Sequence, residues 1–394
     1  MQDFTDFDYL DKLVNKDALI LKRRNIDPVL QDVKAFLRKR GVVLYGGLAL
    51  NAYLSKETKI YDDDVDIPDY DGFSRNARAD AEELFDELVK KGYKYLILKK
   101  AFHEGTYKIE WKFQAIVDIT QIDEATFKVL NHSKVKKDGN LYIDINFIKA
   151  KGYIELAMPN SSQFRWSKIM RRLQILEKET ALASRVPFKT LSEPRMYPSE
   201  VFEVIKAVKK MAVNNNVPLV GNDCIKYHLN IRRRGMISIP GFSAVEVLSA
   251  DPYTFTKDVE EIMGTHKVSN YQIKENSIVM YVKGTSYSVV KVHDISTMCI
   301  SATSPKNHSV YYGSIFYMIY DLYYKLFLHS GPSTNTASYK RNNATLRRVI
   351  IELLRRINRN KFTAYCVGYT KTQSATKLER FQKKEQIVIK SKRE

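Results

Sequence analysis

Two distant stretches of this chain repeat one order of elements at nearly one spacing, and that limits the available folds more than any other feature. The first is Val42-Val43-Leu44-Tyr45-Gly46-Gly47-Leu48-Ala49-Leu50-Asn51, the second Pro218-Leu219-Val220-Gly221-Asn222-Asp223-Cys224-Ile225-Lys226-Tyr227. Each reads as a short apolar strand, a glycine and a helix. Gly47 precedes Asp118 by 71 residues, and Gly221 precedes Asp294 by 73. Such order and spacing predict a duplicated α/β unit, with chance likeness of short apolar strings as the alternative. A length of 394 residues accommodates two domains. The three prolines between Thr180 and Pro198 mark the best linker between them.

Within the first copy, residues 1–27 read as a polar extension and Pro28 as a helix start, with Val29, Val33, Phe36 and Leu37 at helical spacing up to Gly41. Asn76 to Lys91 reads as another helix. The run Tyr107 to Thr120 alternates and predicts one strand. Tyr107, Ile109, Trp111, Phe113, Ala115 and Val117 take one face, and Lys108, Glu110, Lys112, Gln114 and Asp118 the other. Residues 162–178 form an amphipathic helix with an apolar stripe (Trp166, Ile169, Met170, Leu173, Leu176) beside Arg165, Lys168 and Arg172.

Composition narrows the partners. A hydrophobic share of 44% excludes wholesale disorder. A formal charge of +19 favours a polyanion, because a basic surface holds phosphates with release of counterions. Of that excess, Gly331 to Glu394 supplies 16 Lys/Arg against 4 Asp/Glu. There Arg347, Arg348, Arg355, Arg356 and Arg359 accompany a helix whose apolar face is Val349, Ile350, Leu353, Leu354 and Ile357, and Lys383 to Arg393 reads as a disordered tail. Cys224, Cys299 and Cys366 lie far apart without a CxxC pattern, which argues against a disulfide framework or a Cys-rich zinc site. The acidic start MQDFTDFDYL has no apolar signal core. The most apolar run, Tyr311 to Leu328, contains Asp321 and Lys325 and reads as a buried helix rather than a membrane span.

The chemistry-bearing residues cluster early. Asp62, Asp63, Asp64, Asp66, Asp69 and Asp71 crowd into ten positions, a density tolerated only if solvated or neutralised by a cation. Asp69 and Asp71 have the two-residue spacing that shares one strand face. The cluster follows the Gly46-Gly47 turn, and such turns hold phosphate on backbone N–H groups. Asp118 on a neighbouring strand would complete a two-metal site for in-line phosphoryl transfer. Trp166 reads as a core residue of its helix, while Arg165, Lys168, Arg171 and Arg172 are candidates to touch phosphates.

The ordered set of GG, DxD and a strand-borne Asp resembles the DNA polymerase β nucleotidyltransferase superfamily. The segments YGGLALN at 45–51, IPDYDGFS at 67–74, HEGTYKI at 103–109, VDIT at 117–120 and FRWSKIMRRL at 164–173 narrow the resemblance to catalytic subunits of poly(A) polymerases of large cytoplasmic DNA viruses. The resemblance covers roughly residues 28–180. It implies an α/β (α+β) chain of two tandem nucleotidyltransferase-like domains, each a small mixed sheet flanked by helices, the second degenerate. The implied division is an extension over 1–27, the catalytic domain over 28–180, a linker over 181–198, the degenerate domain over 199–380 and a basic tail over 381–394.

It implies template-independent addition of AMP from ATP to an RNA 3′ end with two Mg²⁺ or Mn²⁺ ions, for viral mRNA polyadenylation. Asp69, Asp71 and Asp118 match the metal-binding and catalytic carboxylates, and Asp64-Val65-Asp66 is a rival pair. Gly46, Gly47, Lys108 and Lys168 are the expected ATP contacts; Arg165, Arg171, Arg172, Arg355, Arg356 and Arg359 are the expected RNA contacts. Leu48 departs from the Ser or Thr that the superfamily carries after its second glycine. In the second copy, Glu246 and Asp294 are the only acids expected at the matching places. A homodimer or a viral processivity subunit is the implied partner, and the host cytoplasm (viral factory) or the virion the implied location, with no membrane. The alternatives are a nucleotidyltransferase with another nucleotide or acceptor, and an inactive RNA-binding scaffold.

Overall fold

The structure of the chain, a computed structural model, describes residues 16–62, 66–101, 104–159, 165–187, 199–231, 239–264, 268–274, 277–282, 288–304, 309–331, 336–357 and 388–392. The chain divides into two compact units, 1–148 with 376–394, and 149–375.

The first unit opens with α1 (Lys16–Arg40), β1 (Val43–Tyr45) and α2 (Gly46–Ala52). These are followed by β2 (Tyr70–Ser74), α3 (Ala77–Lys90), β3 (Leu96–Lys100), β4 (Thr106–Trp111) and β5 (Gln114–Gln121). Then come α4 (Glu124–Ser133), β6 (Val135–Lys137) and β7 (Asn140–Tyr142), and α5 (Ile145–Ala157) carries the chain into the second unit. The strands form one mixed sheet in the order β3-β4-β5-β2-β1-β7-β6, with β2 and β5 parallel and β1 antiparallel to β2. Ala77, Ala81, Leu84, Phe85 and Leu88 bury the inner face of α3 among Leu96, Leu98, Ile109, Ile116 and Ile119 of the strands.

Two expectations change here. The helix predicted to start at Pro28 starts at Lys16 and carries Pro28 inside it. Buried Ile26 extends the stripe of Val29, Leu30, Val33, Phe36 and Leu37 across the proline, so packing outweighs the lost backbone hydrogen bond. The run predicted as a single strand from 107 to 120 is a hairpin. It turns at Lys112 (φ +48°) and Phe113 (φ +64°), both left-handed without glycine or asparagine to announce it.

The second unit continues with α6 (Trp166–Glu179), α7 (Ser199–Asn214), β8 (Leu219–Val220), α8 (Gly221–His228), β9 (Val245–Ser249) and α9 (Pro252–Met263). Next are β10 (Val268–Lys274), β11 (Ser277–Val282), β12 (Ser288–Asp294), β13 (Ala302–Thr303) and β14 (Tyr312–Gly313). The helices α10 (Ile315–Leu328) and α11 (Ala337–Leu354) follow. Its sheet runs β10-β11-β12-β9-β8-β14-β13. Strand for strand this repeats the first sheet, including the parallel β9–β12 and β8–β14 pairs and the antiparallel β8–β9 pair. The duplication is therefore real. α5, α6, α8, α10 and α11 enclose one apolar core; α7 and α9 cover the sheet's other apolar cluster, with Val245, Val247, Met280 and Val290.

A last strand, β15 (Val388–Lys392), adds antiparallel to β3, and Lys390 Nζ sits 2.9 Å from an Asp86 carboxylate oxygen. The tail expected to be disordered is thus ordered over these residues, because β-branched Val388 and Ile389 suit an open sheet edge. α5 from Lys149 on and α6, grouped with the first domain on sequence, lie in the second compact unit. Part of the expected linker, 188–198, is outside the described residues. In its described part, Ser184 Oγ donates to the Ala344 carbonyl at 2.7 Å. Cys299 is disulfide-bonded and Cys224 is a buried free thiol; one bridge does not make the disulfide framework that the spacing argues against.

Candidate active site

Backbone pairing assembles the site. Asp71 in β2 is the register partner of Tyr45, the last residue of β1, and on its other side of Asp118 in β5. Asp118 in turn faces Lys108 across the β4–β5 hairpin. Asp69, two residues before Asp71, immediately precedes β2. The Gly46-Gly47 turn stands over this rung. Gly46 has φ +69°, and a Cβ there would lie 2.0 Å from Asp71 Oδ2, so only glycine lets the carboxylate sit against the backbone. At Gly47 a Cβ would meet the Tyr61 ring at 2.7 Å. Buried Asn51 holds that loop, accepting from Ile60 N (2.9 Å) and Tyr61 N (3.2 Å) and donating to Tyr61 O (2.9 Å).

The electrostatics are those of carboxylates short of cations. Burial pushes the Asp118 carboxyl up to about 6; Lys108, with Nζ 3.4 Å from Oδ2, opposes this, and Asp69 adds to it. Burial likewise raises Asp69, against the pull of Lys108. Burial disfavours the Lys108 ammonium, but Asp118 and Asp69 more than offset that and hold its pKa above the ordinary value. Asp118 Oδ1 is buried without a hydrogen-bond partner. Tyr45 OH, kept neutral by burial and by Asp71, sits 2.9 Å from Thr120 Oγ1 and stacks its ring on Phe73.

An unpartnered buried carboxylate oxygen beside two further acids fits a divalent cation. With the side chains as they stand, however, no three His, Cys, Asp or Glu among the described residues close on one point. In the rival pair, Asp66 Oδ2 accepts from Asp62 N at 2.8 Å and so closes its own loop, while Asp64 lies outside the described residues, as does His103.

The remaining expected contacts belong to the second unit. Lys168, Arg171 and Arg172 are on α6 in the second unit, preceded by Arg165, whose Nη1 is 3.7 Å from Glu155 Oε2. Trp166 donates from Nε1 to the Glu155 carbonyl at 3.1 Å and packs on the core, as its apolar stripe predicts. Arg355 and Arg356 follow the end of α11. Arg355 bonds Glu352 at 2.9 Å, and Arg356 donates to the His228 carbonyl at 3.0 Å, so it is tied into the fold. Arg359 is outside the described residues. Asn51 and Tyr61, which shape the glycine turn, carried no signal in the sequence beyond their nearness to it.

The second sheet holds different side chains at the same rung. Gly221 (φ +63°) opens α8 as Gly46 opens α2, and Val220 pairs Glu246 as Tyr45 pairs Asp71. Glu246 pairs Lys291, so Lys291 stands where Asp118 does and Ala244 where Asp69 does. The expectation that Asp294 takes the third place is overturned: it pairs Ser249, further along the strand. Glu246 is fully enclosed, accepting from Ser243 N (2.7 Å) and meeting His293 Nε2 at 2.8 Å. Burial disfavours its charge, yet Lys325, Lys291 and His293 hold its pKa down at about 2.

Comparisons with known proteins agree with this geometry. Residues 31–162 match the family model described as poly(A) polymerase catalytic subunit. An inferred poly(A) polymerase catalytic subunit of African swine fever virus (strain Badajoz 1971 Vero-adapted) is 26% identical over 206 residues, which are 51% of this chain and 42% of that protein. One from Acanthamoeba polyphaga mimivirus is 28% identical over 192 residues, 48% of this chain and 32% of the relative. The chain thus spans less than half the length of the curated relatives it matches. The crystal structure of the Megavirus polyadenylate synthase shares the fold with TM-score 0.76 at 19% identity, covering 97% of this chain and 84% of that one. Residues 31–162 thus resemble poly(A) polymerase catalytic subunits in sequence, within a chain of two α/β units that shares the fold of that synthase.

Proposed function

We propose that the chain is a poly(A) polymerase that adds AMP from ATP to RNA 3′ ends without a template. The observation that carries this reading is the single rung on which Gly46, Asp71 and Asp118 meet, with Asp69 beside it and Asp118 Oδ1 unpartnered. The family match spans all four residues. Asp69, Asp71 and Asp118 would hold two divalent cations, Mg²⁺ or Mn²⁺. Bound there, these would acidify the RNA 3′-hydroxyl and neutralise the departing pyrophosphate.

The chain's own groups do the rest. The Gly46-Gly47 turn offers backbone N–H groups to the triphosphate, replacing the hydroxyl that Leu48 lacks. Asp118, basic enough near neutral pH, takes the proton of the 3′-hydroxyl as its oxygen bonds to the α-phosphorus. The bond from that phosphorus to the bridging oxygen breaks, and pyrophosphate leaves with its charge facing Lys108. Lys168, Arg165, Arg171, Arg172, Arg355, Arg356 and Arg359 are the basic groups proposed for ATP and RNA phosphates. The same reading has the enzyme serve viral mRNA polyadenylation in the host cytoplasm, with a second copy or a processivity subunit as partner.

The test is extension of a labelled RNA primer with each NTP separately, in Mg²⁺ or Mn²⁺. ATP-dependent tailing that vanishes in Asp69→Ala and Asp71→Ala is expected. Loss of tailing in Asp64→Ala and Asp66→Ala, with the downstream pair dispensable, would overturn the assignment.

A further inference from the structure

One end of the first sheet is built in a way that folding alone does not explain. The hairpin turn of Lys112 and Phe113 is left-handed at both positions, where asparagine and glycine are the residues that adopt it without strain. Phe113 is also 89% exposed, so neither backbone preference nor burial favours it. Beside it, Tyr95 repeats both features, at φ +59° and 52% exposed, and its carbonyl accepts from Lys112 N at 3.0 Å. Trp111 pairs Leu96 across the strands, meets Tyr93 edge-on at 6.1 Å and lies under the Lys112 ammonium, 4.4 Å from the ring centre.

Charge separates this patch from an ordinary apolar contact. Lys94 and Lys112 are exposed among the rings, and β15 brings exposed Lys392 alongside Leu96 at the same end. Segments 93–95, 111–114 and 391–392 contain no acid. The nearby Asp32 is engaged by Lys91 (2.6 Å) and Tyr93 OH (2.7 Å). Exposed rings interleaved with ammonium groups suit a single-stranded nucleic acid, whose bases stack on the rings while its phosphates meet the lysines. The same hairpin bears Lys108 and Asp118 further up, roughly 13 Å from the turn at ~3.3 Å per residue.

We propose that Tyr95, Lys112 and Phe113 form a stacking platform for the RNA substrate, with Lys94 and Lys392 as its phosphate contacts. This rests on the reading of the chain as an RNA-extending enzyme, but binding can be read apart from chemistry. The full chain is titrated with fluorescein-labelled oligo(A) and oligo(U) in EDTA, without ATP. Tyr95→Gly with Phe113→Gly relieves the left-handed strain, so melting should hold or rise. Affinity should fall about tenfold or more for both oligonucleotides with the salt slope unchanged. Lys112→Asn should weaken binding and shallow the log–log salt slope by about 0.7. Equal affinity in wild type and variants overturns the platform. So does unchanged RNA affinity with altered sedimentation, which would assign the patch to a protein partner. RNA binding that weakens as expected in a chain that tails no primer with any NTP would sink the enzymatic reading and leave the platform standing.

Discussion

The two sheets have one topology and put opposite chemistry on the same rung. In the first, Asp69, Asp71 and Asp118 crowd together with one lysine, and Asp118 keeps a buried oxygen unpartnered. In the second, Ala244, Glu246 and Lys291 stand at those places, and the one remaining carboxylate is enclosed by Ser243 N and His293. The first arrangement leaves a buried carboxylate oxygen unsatisfied by the chain's own groups. The second is satisfied from within. A repeated frame thus carries two arrangements: one copy keeps its carboxylates together with an unpartnered oxygen, and the other turns the same position into internal cross-linking.

The largest effect that could break this comparison is on rate. Asp71→Asn should lower AMP addition by at least a thousandfold, as should chelation of divalent ions, while melting stays or rises because like charges are relieved. Gly46→Ala should lower the rate as far but, unlike Asp71→Asn, also lower melting, since its Cβ would displace the Asp71 carboxylate at a positive φ. The counterpart Glu246→Ala should instead act on stability. It removes the carboxylate that offsets Lys291 and bonds His293 in a buried site, while Lys325 keeps Asp321 at 2.6 Å, and costs about 3 kcal/mol. Urea unfolding with separate probes on each unit measures this. A thousandfold loss of activity in a Glu246 variant that melts normally would mean that the second unit takes part in catalysis.

Acidity sharpens the contrast, because the two carboxylates respond with opposite signs. The Asp118 pKa is raised from 3.8 to about 6, so the folded state takes up a proton that the unfolded chain lacks. Its contribution is full below 3.8 and lost as pH rises through about 6, amounting to roughly 3 kcal/mol at most. Asp118→Asn should abolish that loss, and Mg²⁺ at pH 7.5 should raise the melting temperature of wild type more than that of the variant. Glu246 is lowered from 4.5 to about 2, so its contribution is present above 4.5 and lost as pH falls toward 2. Glu246→Gln should flatten the acid limb of the second unit's unfolding. Matching pH profiles in the two units would refute the idea that one rung is open and the other closed.

The legible parts of the molecule were those written in local patterns. Strand, glycine and helix recur in sequence because each is a short-range preference, and the Asp69/Asp71 spacing follows from strand geometry. What pairing decides was not legible. Aligning Gly221 with Gly47 by letters selected Asp294, whereas the positive φ shared by Gly46 and Gly221 shifts the frame, and the ladder then selects Lys291. The turn at Lys112 and Phe113 lacks the residues that signal one, so alternation ran straight through it. The enclosure of Glu246 depends on Lys325 and His293, both distant along the chain.

The smallest expected effect concerns the outer edges of the two sheets. β3 and β10 are counterparts, yet among the described residues β3 gains β15 and β10 gains no further strand. The β15 ladder and the Lys390–Asp86 pair lie at an exposed edge, and such contacts contribute little individually. Truncation after residue 387 should therefore destabilise the first unit by only about 1 kcal/mol. Its signature should be local: amide exchange accelerates in β3 and stays unchanged in β10. Because Lys392 leaves with the strand, RNA affinity should also weaken slightly and the salt slope shallow by about 0.7. If truncation leaves β3 exchange untouched, the ladder is not a stable part of the fold. A loss of several kcal/mol would instead make β15 an integral member of the sheet, and the two units would then differ in architecture as well as in side chains.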